Sequence, residues 1–228
     1  MTPEPLINTA KYSTAELLFF AAGGLAWALA YMGVLREIVR KRFVEIPATA
    51  VTANIAWEFV WGVVHRTDLG SLFAWGYRLW FLLDVFIVWG LLRYGVDRVA
   101  TPKLRRYFHA AVVLSVLAWT TALWLLVRQG YDTPNGIVTG YMVTLLMSAL
   151  YVPQFFREEN RRRYSPFVAW CKLLGNGLVI VFCALAYSDN RFLLTICGVT
   201  LALDVYYTWL FHTRRVAVGV PRVAAPAA

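Results

Sequence analysis

Seven apolar runs, each near the length of a helix that crosses a bilayer, dominate this chain. They fall at about 15–35, 47–64, 72–92, 107–127, 136–156, 166–187 and 192–211. Each helical span needs roughly 20 apolar residues, so seven consume most of the 228 residues and leave only short connections. At 60% the hydrophobic fraction exceeds that of a soluble domain, and it is gathered into runs. The pattern predicts an all-α membrane protein, a single bundle of seven transmembrane helices forming one domain over 1–228, with 216–228 a flexible tail. The opening MTPEPLINTAKYSTAE lacks a basic leader, so the first run is expected to span rather than be cleaved away. Pro47 and Pro166 stand near the starts of the second and sixth runs, where proline is tolerated, and Pro134-Asn135-Gly136 marks a turn before the fifth. No internal repeat is visible, and an odd span count argues against a duplicated transporter half.

The net charge of +9 suggests nucleic acid until the charges are placed. Sixteen arginines and lysines follow the first, third, fifth and seventh runs, among them Arg40, Lys41, Arg105, Arg106, Arg161, Arg162 and Arg163. The other side carries four, Lys11, Arg66, Arg128 and Arg191. That asymmetry is the positive-inside signal and predicts the N-terminus outside and the C-terminus in the cytoplasm. The basic charge is read as topological, with anionic lipid headgroups rather than nucleic acid as its partner. The expected location is the cell membrane, crossed several times, or the endoplasmic reticulum membrane in a eukaryotic cell. Cys171, Cys183 and Cys197 all fall inside apolar runs, which removes a disulfide framework or metal-ligand spacing, and no metal or other cofactor is expected. Phosphate-loop, dinucleotide and zinc-protease motifs are missing, as are the acidic clusters that hold magnesium for a diphosphate.

Against this background the ionisable residues inside the runs stand out: Glu58, Arg78, Asp84, Lys172 and Asp204, with Asn176 beside them. A charge at a helix centre costs roughly 2.5–3.5 kcal/mol on insertion scales. Arg78 and Lys172 are long enough to snorkel or to line a watery vestibule, whereas the three acids are not. At about 1.5 Å per residue, Glu58 and Asn176 lie roughly 15 Å from the basic end, and Asp84 and Asp204 roughly 10–13 Å. They share a layer and are expected to face the bundle interior, Glu58 and Asp204 towards one another. Helical spacing puts Asn54, Glu58, Trp61 and His65 on one stripe, and Asp204 with Thr200, Tyr207, Thr208 and Phe211 on another. Tyr77, Trp80 and Phe81 accompany Asp84, while Tyr141, Thr144, Ser148, Tyr151 and Phe155 step along the fifth run. Trp27, Trp75, Trp89, Trp124 and Trp170 read as interface belts or lipid-facing filler, and Asp84 with Arg78 as a possible structural pair.

The stretch Asn54-Ile55-Ala56-Trp57-Glu58-Phe59-Val60-Trp61-Gly62 resembles the Asn-x-x-Trp-Glu signature of the small integral-membrane terpene cyclases of fungal meroterpenoid and indole-diterpene pathways and their bacterial relatives. The likeness extends in outline over the whole chain, with an acid in the second span and another in the seventh. It implies catalytic roles for Glu58 and Asp204. Trp61 stands where that family often has tyrosine. The resemblance further implies cyclisation of a prenyl chain, farnesylated substrates being the expected class, by protonation of a terminal alkene or epoxide.

The residues suit that chemistry in their own right. Protonation needs a carboxylic acid kept neutral, which burial and a neighbouring carboxyl promote. The carbocations that follow need aromatic faces, worth roughly 0.5–2 kcal/mol each, and no water. Trp57, Trp61, Trp80, Tyr207 and Trp209 are candidates for those faces, and Asn54, Tyr77, Asp84 and Asn176 complete the expected substrate-binding set. The prenyl chain is expected to arrive laterally from the bilayer. No oligomeric partner is implied. The competing reading is a proton-coupled transporter that uses the acids as a relay. A retinal protein is excluded because the last span holds no lysine for a Schiff base.

Overall fold

A computed structural model describes residues 5–99, 101–158 and 161–214. The expected tail at 216–228 lies outside the described residues. The chain is all-helical, and no strand forms among the described residues. Helix α1 covers Thr14–Lys41, α2 Ala48–Phe59, α3 Ser71–Tyr94, α4 Pro102–Arg128, α5 Ile137–Arg157, α6 Pro166–Ala186 and α7 Arg191–Arg214. Six of them, α1 and α3 to α7, are long and apolar enough to cross a membrane. The seventh segment is shorter: α2 runs into a π-helical turn, Val60–Val64, and the two together form one apolar stretch, Ala48–Val64.

Local chemistry sets the boundaries. Ser13 and Glu16 form a reciprocal capping box at the start of α1, which ends at Arg42 in a left-handed conformation, φ 51°. Pro166 occupies the first turn of α6, where its missing N–H costs nothing, and Ser165 caps that helix. Asp132 caps α5, its carboxylate accepting from the Val138 N–H at 2.9 Å and from the Thr139 hydroxyl. Several basic residues expected in connections are helical: Arg36, Arg40 and Lys41 ride the last turns of α1, and Lys103, Arg105 and Arg106 the first turn of α4. Long polar side chains extend a helix past its apolar run without cost.

Six helices close into a ring in the order α1, α3, α2, α5, α7, α6, and α4 packs outside against α2. The α1–α6 seam is the tightest. A Cβ on Gly23 would sit 2.9 Å from the Gly175 carbonyl oxygen, and one on Gly175 would sit 2.8 Å from the Trp27 ring, so only glycine lets these backbones approach. Two apolar clusters fill the ring. One, at the basic end, gathers Phe43, Tyr151, Phe155, Tyr164, Tyr207 and Phe211; the other, at the N-terminal end, gathers Tyr12, Phe20, Trp61, Tyr77 and Phe182. Between them lies a polar layer.

Candidate active site

The polar layer consists of two separate networks. In the first, Glu58 is buried with Tyr31, Asn54 and Asp84. The Tyr31 hydroxyl donates to Glu58 Oε1, and the Asn54 amide nitrogen lies 3.0 Å from the same oxygen, 2.8 Å from Asp84 Oδ2 and 2.6 Å from the Tyr31 oxygen. Asn54 therefore offers two N–H bonds to three acceptors. The second carboxylate oxygen, Glu58 Oε2, is buried with no hydrogen-bond partner in the protein. Neutral groups supply every hydrogen bond described for this pair of acids.

The second network is built around an ion pair. Lys172 Nζ contacts Asp204 Oδ1, with both side chains at most 3% exposed, and Lys172 also donates to Ser148 Oγ at 2.6 Å. Asn176 Nδ2 donates to Asp204 Oδ2 at 2.5 Å, while Asn176 Oδ1 accepts from Trp27 Nε1 at 3.0 Å. Tyr141 anchors to the Asn176 carbonyl at 2.9 Å. Here a buried ammonium compensates the carboxylate charge directly.

A cavity of about 610 Å³, counting its open mouth, rises from this layer towards the N-terminal end. Five helices line it, and α4 and α7 do not. Glu58, Asn54 and Tyr31 form part of its floor. Trp27, Trp57, Tyr77, Trp80 and Phe20 form its aromatic wall, with Tyr141 and Asn176 opposite α2. Tyr77 and Trp80 stack at 5.4 Å between centroids with planes 22° apart, and Trp57 leans on Tyr77 at the same separation. Trp57 Nε1 is fixed by Thr139 Oγ1 at 3.0 Å, and a Cβ on Gly140 would lie 3.1 Å from its ring. A roof closes the N-terminal end. Tyr77 donates to the Asn135 carbonyl at 2.8 Å, and Tyr12 bonds Asp68 and Tyr187, each at 3.0 Å.

The arrangement is an acid beneath stacked aromatic rings. The family model of Pyr4-like transmembrane terpene cyclases matches residues 5–216. The chain belongs to that family. Among its relatives, terpene cyclase cle7 of Aspergillus versicolor is 23% identical over 213 residues, 88% of each chain. Terpene cyclase spyD of Aspergillus fumigatus is 24% identical over 202 residues, 84% of each. The Pyr4-family terpene cyclase mfmH of Annulohypoxylon moriforme is 28% identical over 155 residues, covering 67% of this chain and 63% of the relative. No solved structure matches the chain. It is a multi-pass membrane protein of the terpene cyclase family.

Within the cyclase, the residues expected from sequence separate into two groups. Glu58, Asn54, Trp57, Tyr77, Trp80 and Asn176 meet at the cavity. Asp84, Trp61, Tyr207 and Asp204 do not line it. Asp84 lies behind Asn54, and Asp204 behind Asn176. The carboxyl beside Glu58 is thus Asp84 rather than Asp204, because Asn54 bridges the first two while Lys172 holds the third. Arg78 does not pair with Asp84 but donates to the Gly62 carbonyl and lies over the Trp75 ring. Trp61 leaves the α-helical stripe of Glu58 because the helix widens to a π turn at Val60; its ring packs behind Gly136, where a Cβ would approach it to 2.6 Å. Tyr207 joins the aromatic cluster at the basic end, 4.8 Å from Tyr151, and Trp209 faces outward at 51% exposure.

Three participants were not expected in these roles. Trp27, read as lipid-facing, lines the cavity and bonds Asn176. Tyr31 is the hydroxyl on Glu58. Lys172 neutralises Asp204 instead of snorkelling. The signal for the last was present, since Lys172 and Asn176 lie four residues apart on one helix face, level with Asp204. For Tyr31, only a tyrosine in mid-span marked the position.

Proposed function

We propose that the protein protonates the terminal alkene or epoxide of a prenylated, most simply farnesylated, substrate and guides the resulting carbocation through ring closure without a metal. Glu58 is the proton donor. The observation that carries this reading is Glu58 itself, a buried acid that lines an aromatic cavity and whose Oε2 has no hydrogen-bond partner in the protein. The cycle requires Glu58 to begin as the neutral acid. Its O–H bond breaks as the substrate π electrons take the proton, leaving a tertiary cation in the chain and a carboxylate on Glu58. The Tyr31 hydroxyl and Asn54 amide stabilise that carboxylate as it forms. The remaining π bonds close rings in turn, with Trp57, Tyr77 and Trp80 offering faces to the moving charge. Loss of a carbon-bound proton back to the Glu58 side restores the acid. No atom is gained or lost overall, so the reaction is an isomerisation; with an epoxide, the first proton resides on oxygen.

Asp204 acts as a positioning residue. Paired with Lys172, it fixes Asn176 and, through it, the Trp27 wall. The seven helical segments form one transmembrane domain with the N-terminus outside and the C-terminus cytoplasmic, in keeping with the arginine and lysine bias. The protein resides in the cell membrane, or in the endoplasmic reticulum membrane of a eukaryotic cell. The transporter alternative gains nothing from the family match.

Membranes containing the protein, supplied with a panel of farnesylated aromatic compounds, provide the test. Glu58→Gln keeps shape and hydrogen-bond capacity while removing the acid, and mass analysis is expected to find no cyclised product. Asp204→Asn is expected to retain measurable turnover. Wild-type turnover by Glu58→Gln overturns the assignment of the donor.

A further inference from the structure

A second, larger hollow lies on the lipid-facing side of the bundle, between α1 and α3. It encloses about 1160 Å³ counting its open side, and its lining is almost wholly apolar, including Leu18, Leu25, Leu72 and Leu79. Those four leucines are exposed. Phe20, Tyr77 and Trp80 line both this groove and the cavity above Glu58, so a single layer of aromatic rings separates the two.

The seam is thin for an identifiable reason. A Cβ added at Gly76 would meet nothing within 4 Å, and one added at Gly24 would meet only the Trp80 ring edge, at 3.1 Å. Two small residues, one on each helix, therefore leave a window that Trp80 covers. The α1–α6 seam, by contrast, is closed backbone to backbone. The roof of Tyr12, Asp68, Asn135 and Tyr187 closes the N-terminal end, and below the floor lies the aromatic cluster of Tyr151, Phe155 and Tyr207.

From this geometry we infer that the groove between α1 and α3 is the lateral door through which the prenyl tail of the substrate passes from the bilayer into the cavity, with Trp80 as its leaf. The inference rests on the cyclase reading above and names the path that reading leaves open. An apolar chain dissolved in the bilayer reaches the groove without crossing water, and slides past the edge of Trp80 by a side-chain rotation rather than a helix movement.

The test uses the full-length protein in nanodiscs. Gly76→Phe places a bulky ring in the door, at a position where an added side chain has room and folding is undisturbed. It is expected to lower kcat/KM by about tenfold or more, with a smaller effect on kcat, because access rather than chemistry is obstructed. Gly198→Phe adds the same ring on α7, also with nothing within 4 Å of its Cβ, and is expected to leave turnover unchanged. In parallel, a diazirine-bearing farnesyl probe is photolysed on Glu58→Gln protein, and labelled peptides are mapped. Labelling on α1 and α3 around Leu25 and Leu79, together with the fall in kcat/KM of Gly76→Phe, supports the door. Unchanged kcat/KM in Gly76→Phe, or labelling confined to other helices, overturns it while leaving the donor assignment intact. Labelling of the groove by a photoreactive phosphatidylcholine but not by the farnesyl probe also overturns it, since the groove is then an acyl-chain site. Turnover by Glu58→Gln instead removes the assignment of Glu58 as donor and leaves the labelling pattern standing.

Discussion

Replacing Tyr31 with phenylalanine isolates one hydrogen bond at the acid. In the folded protein the Tyr31 hydroxyl donates to Glu58 Oε1, and the ring itself packs 5.8 Å from that of Trp27. Phenylalanine keeps the ring and deletes the hydroxyl, which donates to Glu58 and accepts from Asn54. Glu58 Oε1 then retains the Asn54 amide at 3.0 Å, and the Asn54 N–H that faced Tyr31 is released to the two carboxyls. If Glu58 gives up its proton in the rate-limiting step, charge develops on its carboxylate and the lost bond is one to a charged group, worth about 1.5–3 kcal/mol. At 1.36 kcal/mol per tenfold, that corresponds to a fall in kcat of about ten- to 150-fold. The tail-binding walls are untouched, so KM is expected to stay nearly constant. Single-turnover kinetics in membranes, with product followed by mass spectrometry, separate the chemical step from product release. A kcat within twofold of wild type, in protein that purifies normally, refutes the reasoning: no charge then accumulates on Glu58, and the donor must be sought elsewhere.

Two further outcomes follow from the same networks. Lys172→Met strands Asp204 without its cation, and breaking a buried pair on one side costs about 3–5 kcal/mol, so thermal unfolding in detergent should occur at a markedly lower temperature; the double variant Lys172→Met/Asp204→Leu should recover most of the loss, and no recovery would argue against a compensated pair. Glu45, in the connection between α1 and α2, is 1% exposed and its carboxyl is pushed up to about 8, chiefly by burial, with Glu37 adding and the Ser165 N–H and Lys41 opposing. The native state then holds a proton that the unfolded chain releases near 4.5, so stability falls as pH rises from about 4.5 to 8, by roughly 4–5 kcal/mol in total. Glu45→Gln is expected to flatten that slope, whereas parallel melting curves for variant and wild type across pH 5–9 would falsify the linkage.

How much of this was legible in the sequence depends on the kind of signal. Apolar length is a one-dimensional property, and all seven expected runs are helices whose ends differ by a few residues, the largest extensions being the polar turns Arg36–Lys41 and Pro102–Arg106. Depth is also one-dimensional. A rise of 1.5 Å per residue put Glu58, Asp84, Asn176 and Asp204 in one layer, and they occupy one. Which side chains touch across that layer depends on the order of helices around the ring, and nothing in the spacing of residues along a single helix encodes it. That is why Glu58 acquires Asp84 and Tyr31 as neighbours while Asp204 acquires Lys172. Trp61 differs for another reason, a change of helical period in the π turn that follows α2, where Gly62 lies close to the backbone at Tyr77 and an added Cβ would sit 3.2 Å from its carbonyl.

The two acids that sequence alone treats as a matched pair are therefore chemically unlike. An acid that starts a carbocation cascade must part with a proton at the substrate and later regain one, so its surroundings have to tolerate both forms. Hydrogen bonds from neutral donors do this, since Glu58 Oε1 accepts from Tyr31 and Asn54 whether or not Oε2 carries a proton. An ammonium in direct contact does not: it is matched to one state only, and moving a proton off or onto Asp204 leaves Lys172 without a counter-charge in a site that excludes water. The same contact is what a scaffold needs, because a fixed pair orients Asn176 and through it Trp27. The division of labour also explains why the cavity reaches Glu58 and stops at Asn176. Under the proposed mechanism, a cation drifting towards Asp204 would meet a carboxylate already satisfied by Lys172, whereas one held above Glu58 would stay over the base proposed to end the reaction.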